Sequence, residues 1–287
     1  MILLSFRKFV KPLLYLAMVL VIIGIFAPFF WLIISSISTM EELLSVPPHW
    51  IPKHPTFDNY FNIIFSKSGA SEAARMFIYT MRNSLIIAGS VTLMSLIIGS
   101  FSAYALARLV FPMRKQVLIS ILATRMLPAI STIIPLYIIM GKFNLIDTKI
   151  SLIILYLTFG IPYVVWIMTG FFRTIPSELE DAARIDGCGR LGALFRIIIP
   201  LSAPGLVATT VVSFMLAWDE FFFALIFTNT YNAKTVPVAI AEFTGRHAVD
   251  YSAMCTGGVL ASIPPILLTL IFYRYIIHGL TAGAVKG

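Results

Sequence analysis

The chain is short of charge, cysteine and histidine, and each shortage excludes something. Only 12% of its 287 residues are Asp, Glu, Lys or Arg, about half the roughly 25% of an average soluble domain. So little charge cannot cover a water-facing surface, which excludes a soluble enzyme and a disordered tail. Two cysteines, Cys188 and Cys255, are too few for a disulfide scaffold, and no bridge between them is expected. The four histidines (His49, His54, His247, His278) lack ligand spacing, so no metal site is expected. A phosphate-binding Gly-x-x-x-x-Gly-Lys-Ser/Thr loop is also missing. Gly141-Lys142 is the only Gly-Lys pair, and Leu136 stands where the first glycine belongs. Neither a nucleophile elbow nor a metalloprotease motif is present. The chain is not expected to be an enzyme, and any ATP it uses must be hydrolysed by a partner.

What is abundant is apolar: 59% of the residues are hydrophobic, and the mean hydropathy is +0.93. The bilayer is the solvent for much of the chain. A spanning helix needs about 20 mostly apolar residues, and six segments qualify: Leu13–Ile37, Ser84–Ala107, Val117–Gly141, Ser151–Phe172, Leu201–Phe227 and Met254–Tyr273. The first is too long for a signal-peptide core and is expected to be retained. The predicted fold class is an all-α membrane protein with six transmembrane helices. The net charge is +8, with no basic stripe that would read nucleic acid. The N-terminus, second loop, fourth loop and tail together hold 12 of the 21 basic residues and 4 of the 13 acidic ones. The positive-inside rule assigns these segments, with both termini, to the cytoplasm.

Two connections are long. The first external loop, Ser38 to Asn83, carries Pro47, Pro48, Pro52 and Pro55, so it begins extended. Phe57–Phe65 and Ser71–Tyr79 read as short helices there. The fourth loop, Arg173–Pro200, has 28 residues, where a linker between adjacent helices needs about 2–8. Ser177-Glu178-Leu179-Glu180 reads as a capping box. Gly187 and Gly189 can take the left-handed turn that ends a helix. Leu191, Leu194, Phe195 and Ile198 repeat at helical spacing in a second arm, and Pro200 closes it. This helix-turn-helix either lies on lipid or docks a cytoplasmic partner.

One pattern in this loop is specific. Asp181-Ala182-Ala183-x-x-x-Gly187, nine residues, then Ile197-x-Ile199-Pro200 resembles the EAA loop of ABC importer permeases, with Asp181 for the usual Glu and Ile199 for the usual Leu. Glu72-Ala73-Ala74 shares three letters, but Ile78 replaces the glycine and the segment is external. The resemblance extends toward the maltose-type carbohydrate-uptake branch and its smaller six-span subunits. It includes Pro55-Thr56-Phe57-Asp58-Asn59-Tyr60, Asn83-Ser84, Ala103-Tyr104-Ala105-Leu106-Ala107-Arg108, Trp218-Asp219-Glu220-Phe221 and the ending Gly279 to Gly287. It implies one permease domain over residues 1–287 in a prokaryotic inner membrane, and coupling to the ATPase through Glu180, Asp181, Ala182, Ala183, Asp186, Gly187, Ile197 and Pro200. It further implies as partners a second permease subunit, two ATP-binding cassette subunits that use ATP and Mg, and an extracytoplasmic solute-binding protein. This chain itself would hold no cofactor. The implied substrates are sugars and glycerol phosphates.

Three charged residues fall inside the assigned spans: Arg125, Asp219 and Glu220. Such groups are costly in a membrane and face a cavity or a partner. Adjacent helix positions diverge by about 100°, so Asp219 and Glu220 cannot point the same way. With Trp218, Phe221 and Asn83 they are the candidate substrate path. The competing reading of the aromatics is an interfacial belt. Arg125 either snorkels to the cytoplasmic face or meets substrate. Pro128, Pro135 and Pro162 are either hinges or fixed bends. The alternative function is an ion-coupled secondary transporter with Asp219 and Glu220 as its relay.

Overall fold

A computed structural model describes residues 2–47, 49–65, 71–244 and 249–282, with side chains described between residues 11 and 275. Pro48, His247 and the tail residues Gly283–Gly287 lie outside the described residues, as does the side chain of His278. Among the described residues every regular element is a helix, apart from one isolated bridge between Thr244 and Val249. In chain order the helices are α1 (Ile2–Ser36), α2 (Met40–Leu43), α3 (Asp58–Phe65), α4 (Glu72–Arg108), α5 (Arg114–Ala123), α6 (Ala129–Lys142) and α7 (Lys149–Thr174). There follow α8 (Ser177–Ile185), α9 (Arg190–Leu201), α10 (Ala203–Trp218), α11 (Phe222–Phe227), α12 (Val236–Glu242) and α13 (Tyr251–Ala282).

Four helices are long and apolar enough to cross a membrane: Lys11–Ser36 of α1, then α4, α7 and Tyr251–Tyr275 of α13. Two bent pairs bring the total to six if each pair is one span: Arg114–Met126 with α6, bent by 92°, and α9 with α10, bent by 79°. Helix is found in each of the six expected segments, but the third is broken and the fifth differs in its bounds: the bent pair covers Arg190–Trp218 instead of Leu201–Phe227, and Phe222–Phe227 forms the separate helix α11. The third breaks where Leu127 turns extended at ψ 125° ahead of Pro128, because the proline ring disfavours helical backbone in the preceding residue. Pro135 and Pro162 sit inside continuous helices. In the fifth, α9 runs on through Pro200 to Leu201, and the bend falls at Ser202, just ahead of Pro204 in the first turn of α10. The expected short helix Ser71–Tyr79 is likewise revised. Ser71 Oγ accepts the N–H of Ala74 at 3.2 Å, and no proline or glycine interrupts the run before Gly89, so the helix continues unbroken to Arg108.

The chain groups into two compact units, Met1–Phe77 with Ile240–Ser262 and Ile78–Ala239 with Ile263–Gly287. In the first unit, hydroxyl groups of α13 meet the end of α1. Ser252 Oγ donates to Ser38 O at 2.6 Å, and Thr256 Oγ1 donates to Ser36 O at 3.1 Å. Asn59 of α3 donates to Ser252 Oγ at 2.6 Å, which ties the long first loop to the same helix. Small and hydroxyl residues at such contacts let helix backbones approach closely where lipid offers no hydrophobic drive.

The second unit is built around α7. Thr148 Oγ1 caps it by accepting the N–H of Ser151 at 3.2 Å. Where α4 crosses α7, a Cβ on Gly99 would come within 2.6 Å of Val164, and one on Gly160 within 2.5 Å of Ser95 Oγ. A cluster of Ala103, Tyr104, Val164, Met168, Phe172, Ile175, Leu194 and Ile198 buries the base of this crossing together with α9. The second arm of the fourth loop thus splits its apolar stripe. Leu194 and Ile198 enter the core, whereas Leu191 and Phe195 stay 61% and 54% exposed. A wide turn over Leu194–Ile198 changes the helical register between them.

Candidate functional site

The fourth loop folds into two arms, α8 and α9. The expected capping box does not form. Pro176 occupies the cap position, Ser177 is the first helical residue, and no side chain caps the helix. Glu180 turns instead toward the end of α4. It accepts a hydrogen bond from the Tyr104 hydroxyl and pairs with Arg108, Nε to Oε2 at 3.4 Å, both side chains nearly buried. Arg108 also donates to Ile175 O at 2.6 Å. Three groups from α4 and the α7–α8 corner thereby fix the angle at which α8 leaves the membrane helices.

The remainder of α8 faces outward. Asp181, Ala182, Asp186 and Gly187 are exposed, while Ala183 is buried against the core. Gly187 holds a left-handed φ of +86°, and Cys188 N–H returns to Ala183 O at 2.9 Å, the pattern that closes a helix C-terminus. Gly189, expected to share that turn, is extended at φ −71° and caps α9 instead. Ile197 is half-buried and Pro200 exposed. One apolar residue that the motifs do not single out stands out: Ile185 is 87% exposed, and Leu179 beside the expected capping box also faces outward. Ile185 is the last residue of α8. Its signal in the sequence was weak, because the pattern was read for its acids and glycines.

The other candidates are dispersed. Trp218 is only 3% exposed and stacks on Phe214, with ring centroids 5.5 Å apart. Asp219 ends α10 and is exposed. Glu220 bridges the break: its Oε1 accepts Phe223 N–H at 2.8 Å and its Oε2 accepts Ala224 N–H at 3.2 Å. A carboxylate there satisfies the orphan donors at the start of α11 and complements its dipole. Phe221 is partly exposed. Asn83 is buried and engaged with the chain itself. Its amide donates to Tyr231 O at 2.8 Å and Lys234 O at 3.0 Å, and its Oδ1 accepts from Lys149 Nζ at 3.1 Å. Beside it, Ser84 Oγ accepts Val236 N–H at 2.8 Å.

A cavity of about 880 Å³ opens within the second unit. Ser102, Thr124, Arg125, Thr132, Thr158 and Phe223 contribute to its walls, but Asn83 and Trp218 to Phe221 do not. Arg125 sits in the tight turn before the Pro128 break, 5.8 Å from the Tyr163 ring centroid. Among the described residues, no three His, Cys, Asp or Glu side chains gather as a metal site would require.

These features define a helical integral membrane protein with a projecting two-armed loop and an open cavity, the class of a transport component. The chain belongs to the family of binding-protein-dependent transport system inner membrane components, whose pattern matches residues 95–282. It is 34% identical over 277 residues to the sulfoquinovosyl glycerol transport system permease protein SmoH of Agrobacterium fabrum, covering 96% of this chain and 94% of that one. It is 36% identical over 272 residues to the trehalose/maltose transport system permease protein MalG of Thermococcus litoralis, covering 94% and 95%. A chain in the crystal structure of a bacterial ABC transporter that imports the acidic polysaccharide alginate shares the fold, with a TM-score of 0.77 at 18% identity, over 93% of this chain and 96% of that one. The protein is therefore an inner-membrane ABC permease, and the secondary-transporter alternative finds no support. The Glu220 carboxylate, offered there as a coupling group, is engaged by the backbone of α11.

Proposed function

We propose that this permease serves an ATP-driven importer of a sugar or sugar-like solute, as one domain over residues 1–287 with both termini in the cytoplasm. A second permease subunit would complete the translocation path, two ATP-binding cassette subunits would hydrolyse ATP with the aid of Mg, and an external binding protein would deliver the solute to the first loop. The sugar assignment rests on relatives named for sulfoquinovosyl glycerol and trehalose/maltose transport.

The single observation that carries the coupling role is α8. It is held rigidly at its base through Glu180, while its outer face presents Asp181, Ala182, Asp186, Gly187 and the bare Ile185. Ala183, Ile197 and Pro200 support that face, and ATPase closure would drive α8 as a lever on α4 and α7. A buried apolar anchor at an interface is worth about 2 kcal/mol or more, roughly thirtyfold in affinity. Ile185→Glu and Asp181→Lys are expected to lose the co-purifying ATPase and ATP-dependent uptake, with unchanged elution of the solubilised permease. Full ATPase retention and uptake in both variants would sink the coupling role. Within the path, Asp219 and Phe221 are the candidates open to solute, whereas Asn83, Trp218 and Glu220 act through the positions of their neighbours.

A further inference from the structure

We infer that the cavity beside the Pro128 break is a solute site for a polyhydroxylated anion, a sugar or polyol bearing a carboxylate, sulfonate or phosphate, and that Arg125 receives its charge. The inference rests on the importer reading above and narrows its substrate class. Four hydroxyls on the wall have committed their protons to the helices that carry them. Ser102 Oγ donates to Ile98 O at 2.8 Å, Thr124 Oγ1 to Ile121 O at 2.7 Å, Thr132 Oγ1 to Ala129 O at 2.8 Å, and Thr158 Oγ1 to Leu155 O at 2.5 Å. A hydroxyl whose proton is spent offers only lone pairs. These four therefore seek a ligand rich in O–H donors, which is what a sugar is.

Arg125 supplies the opposite chemistry. Its guanidinium presents donors and no acceptor, and the described residues of the wall include no carboxylate to neutralise it. The Tyr163 ring 5.8 Å away holds the cation without quenching its charge. Arg125 lies eleven residues beyond Arg114, about 16 Å along the helix. An ionisable group within a membrane-spanning segment is costly and marks a path. An anionic group on the solute would remove that cost, whereas a neutral sugar would leave it in place. The volume, about 880 Å³, lies in the range of pockets that enclose small ligands.

The test uses the whole transporter, with both permeases, the ATPases and the binding protein, in proteoliposomes. The probes are matched pairs: D-glucuronate with D-glucose, glycerol 3-phosphate with glycerol, and an acid-terminated disaccharide with maltose. The wild type is expected to import an acidic member at least about tenfold faster than its neutral partner, the worth of one hydrogen-bonded charge. Arg125→Gln should erase that preference, and Arg125→Lys should retain part of it. The pair that responds separates sugar acids from polyol phosphates. Import of neutral members alone, a preference that survives Arg125→Gln, or an Arg125→Lys protein as impaired as the glutamine variant overturns the anion site and leaves the importer standing. No ATP-dependent import of any probe overturns the sugar reading itself, and this inference with it.

Discussion

Single polar residues at the ends of the spans are mostly clasps, and Asp147 shows how much one carboxylate can organise. It takes a left-handed φ of 60° between α6 and α7. Its Oδ1 accepts the N–H groups of Asn229 and Thr230 at 2.8 and 2.9 Å, and its Oδ2 accepts the Thr230 hydroxyl at 2.7 Å. Partial burial works to raise its pKa, but the Thr230 and Asn229 donors, with the Lys234 charge, outweigh that and hold it below the ordinary carboxylate value. A lowered folded pKa means stability that is present above the unfolded value, about 3.9, and lost as pH falls through the folded one. Asp147→Asn should therefore melt lower by about 1 kcal/mol in this part-exposed setting. Thermal unfolding in detergent should show that gap constant above about pH 5 and closing in acid. A gap that widens in acid would contradict the sign. Asn83 is likewise a clasp, its amide donating to Tyr231 O and Lys234 O in the loop before α12.

At the scale of the element, the clamp at the base of α8 is the feature to test. Glu180 and Arg108 are a nearly buried ion pair at 3.4 Å with the Tyr104 hydroxyl on the same carboxylate. Removing one partner of such a pair strands the other charge and costs about 3 kcal/mol. Glu180→Gln and Arg108→Met should each lower the melting temperature and slow uptake. The double variant should lose clearly less than the sum, because no orphan charge remains. Additive losses would mean the two side chains do not communicate. The clamp around Glu180 leaves no local signature in the sequence. The spacing of Glu180 from Ser177 fits a capping box, but Tyr104 and Arg108 lie more than seventy positions earlier, and no local pattern reveals that they wait at the same corner. The long apolar elements were legible for the opposite reason. Hydropathy over about 20 residues survives any tertiary context, so α4, α7 and α13 stand where the apolar runs are. The bends were half-legible. Three prolines mark possible breaks in spans three and four, yet only Pro128 opens one, while Pro135 and Pro162 stay within helices. The cavity and its spent hydroxyls could not be read at all, because a threonine that donates to its own helix looks in sequence like any other threonine.

For the whole molecule, the sparse charge of the chain is an address. The segments assigned to the cytoplasm carry 12 basic and 4 acidic residues, a net of +8, equal to the excess of the entire chain. Basic residues near span ends resist translocation, so this asymmetry predicts one orientation, with the two-armed loop inside and the Ser38–Asn83 loop outside. α4 makes the consequence concrete. Its 37 residues run about 55 Å at 1.5 Å each, against a hydrocarbon core of about 30 Å. A good part of it must therefore stand clear of the membrane, and its polar start at Glu72, Arg75 and Arg82 is the end that this orientation places outside. With Cys188 and Cys255 replaced by serine, Lys53→Cys and Asn229→Cys should react with a membrane-impermeant maleimide in intact cells. Glu178→Cys and Arg190→Cys should react only after permeabilisation. The reverse pattern would turn α8 outward, away from any ATPase, and the coupling role would fall with the orientation that supports it.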